Sequence, residues 1–539
     1  MKTALLVFLT IFFSSYLWSQ QILMDGDFSD WDNISVHTEE KGDNSGLDME
    51  TLSITNDDKF YYLHITLSEE LLLQEGNRLQ LQLSGDNFDF IFDFGEMEGR
   101  ILQSGPDPRI YHNNMGMIIA PSYSSTQFEI QIARTWNVNF SNLEIPAELN
   151  IQLVDLSSGG DQIPNTPLQY ESDPDIRYSA SEVTLAQPSG TFRVCSYNTL
   201  RDKIFDDEAR VDYTRILRSI SADIYCLQEI YDHSSAETLS RMFNIFDALE
   251  GTEWYHSKRG IDLILISRYP ILYEKNVGGN AVFVVDMDGQ EVMIINIHLS
   301  CCENDSQRES EIDDILDFID SAKNNQESYF LAEGTPLLIM GDTNFVGNGD
   351  QLNALTTGNF FGAGSNVELD WDSDGLATVN ASTSGLNSNY TWFSEFSRFA
   401  PGRLDYIFYT DTRLEVENAF VLDSRWLPTD QLAAAGLERS NTAEASDHRP
   451  VVCDFSLIPI ASDNDLPAHE ITIYPVPSSD AITIENYSFE CRWVLYDLHS
   501  KPVLEGTGAY VDLNQVPSGL YQLSLLHSNR PTVHKIIKL

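Results

Sequence analysis

FRVCSYNTL (192–200) is an apolar run that stops on a side-chain amide, Asn198, and five later stretches share its design. They are DIYCLQEIYD (223–232), IINIHLS (294–300), LLIMGDTNF (337–345), RLDYIF (403–408) and ASDHRP (445–450), the last leading straight into the apolar VVCDF. A short apolar run beside a carboxylate, amide or imidazole is what a buried strand looks like where it ends at a cleft. Together the stretches supply Asn198, Glu229, His298, Asp342, Asn344, Asp405, Asp447 and His448. That set offers hard oxygen ligands of the kind Mg²⁺ takes and imidazoles suited to proton transfer. It contains no Ser or Cys nucleophile paired with a base. Each stretch alone is weak evidence; their joint presence in this order outlines a metal-dependent phosphoesterase site.

Between these stretches the pattern turns helical. DDEARVDYTRILRSISA (206–222) carries Ile216, Leu217 and Ile220 on one face, and ESEIDDILDFIDSAK (309–323) carries Ile312, Ile315, Leu316 and Ile319. Both read as packing faces, and strands alternating with such helices predict an α/β layer fold. Residues 347–386, rich in Gly, Asn and Asp, read as a long surface loop, and residues 426–445 as a shorter loop or helix leading into ASDH.

Both flanks read as β-structure. From about 20 to 185, short alternating segments such as YYLHITL (61–67), RLQLQLSG (78–85) and FEIQIAR (128–134) predict an antiparallel β-sandwich. A polar, Pro-containing stretch (164–190) reads as its last strand plus a linker. The opening MDGDFSDWD (24–32) places Asp25, Asp27 and Asp30 in one acidic turn, where they could ligate Ca²⁺ or serve only as turn residues. After a composition break at 457–470, the last seventy or so residues predict a small β-sandwich. At the other end, Lys2 followed by ALLVFLTIFF reads as a signal peptide over residues 1–19. No later run is long and apolar enough to span a bilayer.

Three resemblances sharpen this reading. Residues 190–457 resemble the endonuclease/exonuclease/phosphatase superfamily, which includes deoxyribonuclease I. The glutamate of DIYCLQEIYD, the Asp-x-Asn of GDTN, the terminal Asp-His of SDH and the strand pair GIDLILISRYPI (260–271) carry the likeness. It implies a four-layer α/β sandwich, two packed sheets flanked by helices, and Mg²⁺-dependent phosphoester hydrolysis, with Mn²⁺ or Ca²⁺ as other candidate ions. Residues 467–539 resemble the type A sorting domain of the type IX secretion system of Bacteroidetes. YPVPSSDAITI, VLYDLHSKPV, VPSGLYQLSL and the terminal KIIKL match in order, with Val476 where Asn is usual. That implies contact with the type IX machinery and a final place outside the cell or on its outer surface. The N-terminal sandwich is similar to family 9 carbohydrate-binding modules, which implies a glycan ligand; a spacer role stands beside it.

Carried onto this chain, the first resemblance makes Glu229 the principal Mg²⁺ ligand, with Asn198 and Asp447 completing the shell. Asp342 is placed to orient the attacking water and Asn344 to donate to phosphate oxygens. Asp405 is the partner implied for His448, since Asp447 cannot both hold the ion and orient the neighbouring imidazole. His298 would meet a phosphate oxygen or the leaving group. Arg259, Arg268 and Arg403 are candidate phosphate contacts, although arginines on strand flanks more often form ion pairs. Trp392 could stack on a base or sugar, or simply fill a core.

Composition bounds the substrate. The chain carries 32 Lys and Arg against 82 Asp and Glu, a net charge of −50. About half of that surplus lies between residues 190 and 457. Binding a polyanion by neutralising its backbone requires basic surface, which this chain lacks. Either cations mediate the contact or the substrate is small. Six cysteines in 539 residues make no disulfide scaffold. Cys195, Cys226 and Cys453 sit in apolar runs, whereas Cys301-Cys302 is a vicinal pair directly after the His298 strand. The expectation is therefore a secreted phosphodiester hydrolase, first of all an extracellular nuclease. The alternatives are a phospholipid or small-molecule phosphodiesterase or phosphatase, and a non-catalytic surface carbohydrate-binding or adhesion protein.

Overall fold

The computed structural model describes residues 21–42, 46–102, 108–243, 253–362, 366–459, 472–485, 492–497, 501–526 and 531–539. The expected signal peptide and most of the 457–470 break lie outside them. The chain divides into two compact units, residues up to Ile458 and residues from Pro459 onward.

Two sheets build the centre of the first unit. One has seven strands, in the order Tyr255–Arg259, Leu263–Ser267, Ile224–Gln228, Phe192–Asn198, Val451–Leu457, Leu414–Val421 and Ser382–Thr383. The other has six: Ile271–Val277, Asn280–Met287, Gln290–His298, Leu337–Asp342, Asp405–Tyr409 and Ala377–Thr378. Near-continuous apolar strands belong where both faces of a sheet are covered. Every residue of Phe192–Asn198, Ile224–Gln228 and Leu337–Asp342 is buried. Val194, Cys226 and Leu265 of the first sheet meet Phe283, Ile294 and Met340 of the second in one apolar cluster. On the outer side of the seven-stranded sheet, helix Arg210–Ile220 buries Tyr213, Ile216, Leu217 and Ile220. Helix Asp305–Lys323 packs Ile312, Ile315, Leu316 and Ile319 into the cluster of the six-stranded sheet. Both helical faces read from spacing are the faces that pack.

The expected surface loop at 347–386 is different. It contains helix Asp350–Thr357, and Leu355, Val367, Leu369 and Leu376 enter the core beside Asp305–Lys323. Its Gly and Asn content concealed four apolar anchors spaced too irregularly to show a period.

The N-terminal region is an antiparallel sandwich. A five-stranded sheet centred on Phe60–Leu71 faces a six-stranded one centred on Leu79–Gly85 and Phe88–Asp93. The core between them includes Leu63, Ile65, Leu81, Phe90, Phe92 and Trp136. The acidic turn at its start is accounted for by hydrogen bonds to backbone N–H groups. Asp25 Oδ1 accepts from Asp27 N, Asp27 Oδ1 from Ser29 N, and Asp30 Oδ2 from Leu23 N. The whole turn sits on Glu129, which accepts from Asp25 N, Gly26 N and Trp31 Nε1. These carboxylates cap a turn, one of the two roles open to them from the sequence.

The sandwich and the central sheets share apolar core. Ile22, Met24, Trp31, Phe60, Tyr62 and Ile118 pack with Leu386 and Tyr390 of the central region, and Ala400 enters the sandwich core. The second unit has a three-stranded and a four-stranded sheet around Ile482, Trp493, Leu495, Val511, Leu523, Leu525 and Ile536.

Two expectations follow. Because the cluster spans both regions, Leu386→Ala should cost about 2–5 kcal/mol and lower a single unfolding transition. Two separated calorimetric transitions for residues 21–459 would contradict this. Burial pushes the Glu129 carboxyl up to about 8, against the donated hydrogen bonds, with Asp30 and Asp25 adding repulsion. Its folded-state value exceeds its unfolded one, so its contribution is complete below about pH 4.5 and is lost as pH rises through about 8. Glu129→Gln should flatten that decline in denaturant titrations.

Candidate active site

Strand register assembles the site. In the six-stranded sheet His298 pairs with Asp342, and Asp342 with Asp405, so three polar side chains end three adjacent strands in one row. In the facing sheet Asn198 pairs with Gln228, which brings Glu229 beside it. The loop before Val451–Leu457 adds Asp447 and His448.

Gly341 explains how Asp342 gets there. It lies within its strand. At φ +151°, a Cβ there would fall 1.9 Å from the Ile297 carbonyl oxygen of the neighbouring strand. Only glycine permits that approach. Glu229 and Asn344 both adopt left-handed backbone, at φ 62° and 50°, a conformation that costs non-glycine residues energy and recurs at functional sites.

The side chains form one connected system. Asn198 Nδ2 donates to Glu229 Oε1 (3.1 Å) and to Asp342 Oδ2 (3.0 Å), while its Oδ1 accepts from Leu200 N. Glu229 Oε2 accepts from Arg201 N. Asp342 Oδ2 lies 3.5 Å from His448 Nε2 and 3.8 Å from His298 Nε2. His448 Nδ1 donates to Asp405 Oδ2 at 2.8 Å, the partnership expected for it. His298 Nδ1 donates to Asp262 Oδ2 at 2.6 Å. Asn344 donates from its backbone N to Asp342 Oδ1 and from Nδ2 to the Leu299 carbonyl.

Buried charge sets the protonation of the two imidazoles. Burial alone would lower His448, but the Asp405 and Asp342 carboxylates outweigh it and push it up to about 10. Burial likewise opposes His298, yet its hydrogen bond to Asp262 and the charges of Asp342, Asp262 and Glu229 raise it to about 9. Burial pushes the Asp342 carboxyl above the usual range. Without a bound cation, two imidazolium groups thus face one buried carboxylate.

Asp447 supplies a second kind of signal. Its Oδ2 accepts from Trp392 Nε1 at 3.1 Å, while its buried Oδ1 has no hydrogen-bond partner among the described residues. A buried carboxylate oxygen without a donor is costly unless a cation occupies its lone pairs. Glu229 and Asp447 line the same cleft, and a pair of carboxylates with open space for waters suits a hard divalent ion. The residues present fit such an ion. Asp342, Asp405 and His448 also offer ligand atoms within 4.8 Å of one another, but the Asp405–His448 hydrogen bond accounts for that grouping.

Several expectations need correction. Arg259 pairs with Glu274, Arg268 with Asp223 at 3.3 Å, and Arg403 Nη2 donates to the Val379 carbonyl. None of the three lines the cleft, whose guanidinium groups are those of Arg201 and Arg398. Trp392 donates from Nε1 to Asp447 and lines the cleft. Asn198 Nδ2 ties Glu229 to Asp342. Sequence reasoning missed Asp262, although it opens the apolar Leu263–Ser267 strand just as the other site residues end theirs. It also missed the buried Asp423. Burial would raise that carboxyl, but Arg449 and Arg425 hold it far below the usual range. Through Asp423, Arg449 anchors the loop that presents His448.

Residues 195–448 match the model of the Endonuclease/Exonuclease/phosphatase family. The central domain belongs to that family. Residues 472–539 match the Secretion system C-terminal sorting domain, which marks the chain for type IX export to the outer surface or beyond it. The central domain is accordingly that of a phosphoric ester hydrolase, and the adhesion-protein alternative is set aside. No curated protein matches the chain. Among solved structures, the human Nocturnin catalytic domain is 17% identical, with 51% of this chain and 97% of that chain covered and a TM-score of 0.32. Truncated Caenorhabditis elegans TDP2 is 16% identical, with 50% and 100% covered and a TM-score of 0.32. ANGEL2, described as a 2',3'-cyclic phosphatase, is 17% identical, with 50% and 96% covered and a TM-score of 0.34. No helix among the described residues is long and apolar enough to cross a membrane.

Asp262 provides a sharp test of the electrostatics. Asp262→Asn removes the main influence raising His298, so its value in the metal-free protein, read by NMR titration, should drop well below 9. Phosphoric ester hydrolysis should fall by at least about tenfold. An unmoved His298 titration would refute the assignment.

Proposed function

We propose that this chain is a secreted, divalent-metal-dependent phosphodiester hydrolase, with Mg²⁺ as the first candidate ion and nucleic acid as the first substrate class. The observation that carries the reading is the convergence, in one cleft, of Glu229, an Asp447 oxygen without a donor, and two carboxylate-backed imidazoles around buried Asp342.

Glu229 and Asp447 would hold the ion, with Asn198 fixing the Glu229 carboxylate through its 3.1 Å hydrogen bond. When bound, a divalent cation supplies charge neutralisation at the phosphate and polarises its oxygens. The remaining steps belong to the chain. Asp342 orients a water for attack on phosphorus and receives its proton; its raised affinity for protons suits it to that task. His448, steered by Asp405, donates a hydrogen bond to the phosphate as charge builds in the pentacovalent state. His298, held protonated by Asp262, offers its Nε2–H to a second phosphate oxygen or to the leaving oxygen. Asn344 is fixed by Asp342 and the Leu299 carbonyl, which leaves one amide N–H for the phosphate.

The test uses the chain from residue 21 with its sandwich in place. Mg²⁺-dependent hydrolysis of oligonucleotide substrates should fall at least a thousandfold in Glu229→Ala. Hydrolysis that survives either chelation or that substitution would overturn the reading. Failure on nucleic acid together with Glu229-dependent turnover of choline phosphodiesters would move the substrate to lipid headgroups.

A further inference from the structure

The catalytic cleft is built by two domains. Its cavity, about 880 Å³, is lined on one side by Glu229, Asp262, His298, Asp342, Asp447 and His448. On the other it is lined by Leu72, Gln74, Glu75, Pro121, Ser122 and Tyr123 of the N-terminal sandwich. We propose that this sandwich is a specificity wall, and that it restricts the site to compact phosphodiesters of low charge: chain ends or small diesters rather than phosphates within a duplex. The inference rests on the hydrolase reading given above.

The wall is fixed by many contacts. Gln74 Oε1 accepts from Ala400 N at 2.7 Å, and Glu75 pairs with Arg398 at 2.8 Å. Ser122 Oγ lies 2.9 Å from the Phe345 carbonyl oxygen, one residue beyond Asn344. Ser124 N donates to Gly347 O, and Gly349 N to Ser124 Oγ. Behind these contacts lies the apolar cluster that the two regions share. The wall is therefore bonded to the segment that carries Asp342 and Asn344.

Size and charge then select. A cavity of this volume falls in the range of small-ligand sites. Gripping a long nucleic acid requires a row of cations along its backbone. The cleft instead presents Arg201 and Arg398, the latter already paired with Glu75, and its lining adds Glu303 and Glu311, with Asp305 paired to Arg308. Each further phosphate on a substrate meets this acidic lining, while a single diester meets the imidazoles. Half-buried Leu72, Tyr123, Val346 and Phe399 give the cavity apolar surface for the uncharged part of such a substrate.

The experiment compares three probes on the full chain from residue 21: bis(p-nitrophenyl) phosphate, a dinucleoside monophosphate and supercoiled plasmid. The expected result is a kcat/KM per bond at least a hundredfold higher for the two small diesters than for plasmid nicking. Preference between the small diesters distinguishes a chain end from a free diester. Leu72→Ala with Tyr123→Ala should raise the dinucleotide KM at least fivefold and narrow its advantage over plasmid. Leu72→Trp, which keeps the wall apolar, should raise the dinucleotide KM by crowding. Thermal melts exclude simple unfolding. Plasmid nicking equal to dinucleotide cleavage, or wall variants without effect on KM, would overturn the inference while Glu229-dependent turnover left the hydrolase reading standing. Turnover independent of Glu229, or none on any probe, would remove both.

Discussion

The pairing of Gln290–His298 with Leu337–Asp342, and of Leu337–Asp342 with Asp405–Tyr409, places His298, Asp342 and Asp405 side by side. A slip of one residue would turn each side chain to the opposite face. Burial supports this register, with Ile339 in one apolar cluster and Ile294, Met340 and Ile407 in the other. Gly341 tightens it further by letting its backbone meet Ile297. The chemistry of the cleft thus depends on an apolar constraint that begins several residues away from it.

That dependence explains what could be read from sequence. Glu229, His298, Asp342, Asp405 and His448 were legible because each stands next to a run whose burial is itself legible. The α/β alternation and both helical faces were legible for the same reason. Partnerships made by side chains across the fold were not. Asp262 reaches His298 over 36 positions, and Trp392 reaches Asp447 over 55. Neither has a local period to announce it. The arginine assignments failed for a related reason. A guanidinium on a strand flank finds the nearest carboxylate or carbonyl, and in this chain acidic residues are plentiful. The helix at Asp350–Thr357 was hidden because its flanking Gly and Asn dominate the composition around four buried anchors.

The N-terminal sandwich illustrates a different limit. Its strands alternate clearly, so its architecture could be anticipated. Its placement could not, since the surfaces that meet the central domain, including Met24, Trp31 and Ile118, look in sequence like ordinary sandwich residues. It shares an apolar cluster with the region that carries the site.

A net charge of −50 sets a physical problem for any enzyme that must approach phosphate. Long-range potential repels a polyanion before it arrives, although salt shortens the reach of that repulsion to about 10 Å at 0.1 M. Within that distance the local field decides, and there two imidazoles stand among the carboxylates of Glu229, Asp262, Asp342, Asp405 and Asp447. Two imidazoliums are held charged because buried carboxylates face them, and the Asp447 oxygen without a donor invites a cation. At the cleft the carboxylates that keep these two imidazoles protonated also outnumber them, so a bound cation would be needed to offset the local negative charge. The same arrangement cannot extend along a polymer, because every such positive group is fixed by a partner at the end of a strand. Under the proposed specificity wall, attraction is confined to about one phosphate and the remainder of the substrate to the volume beside it.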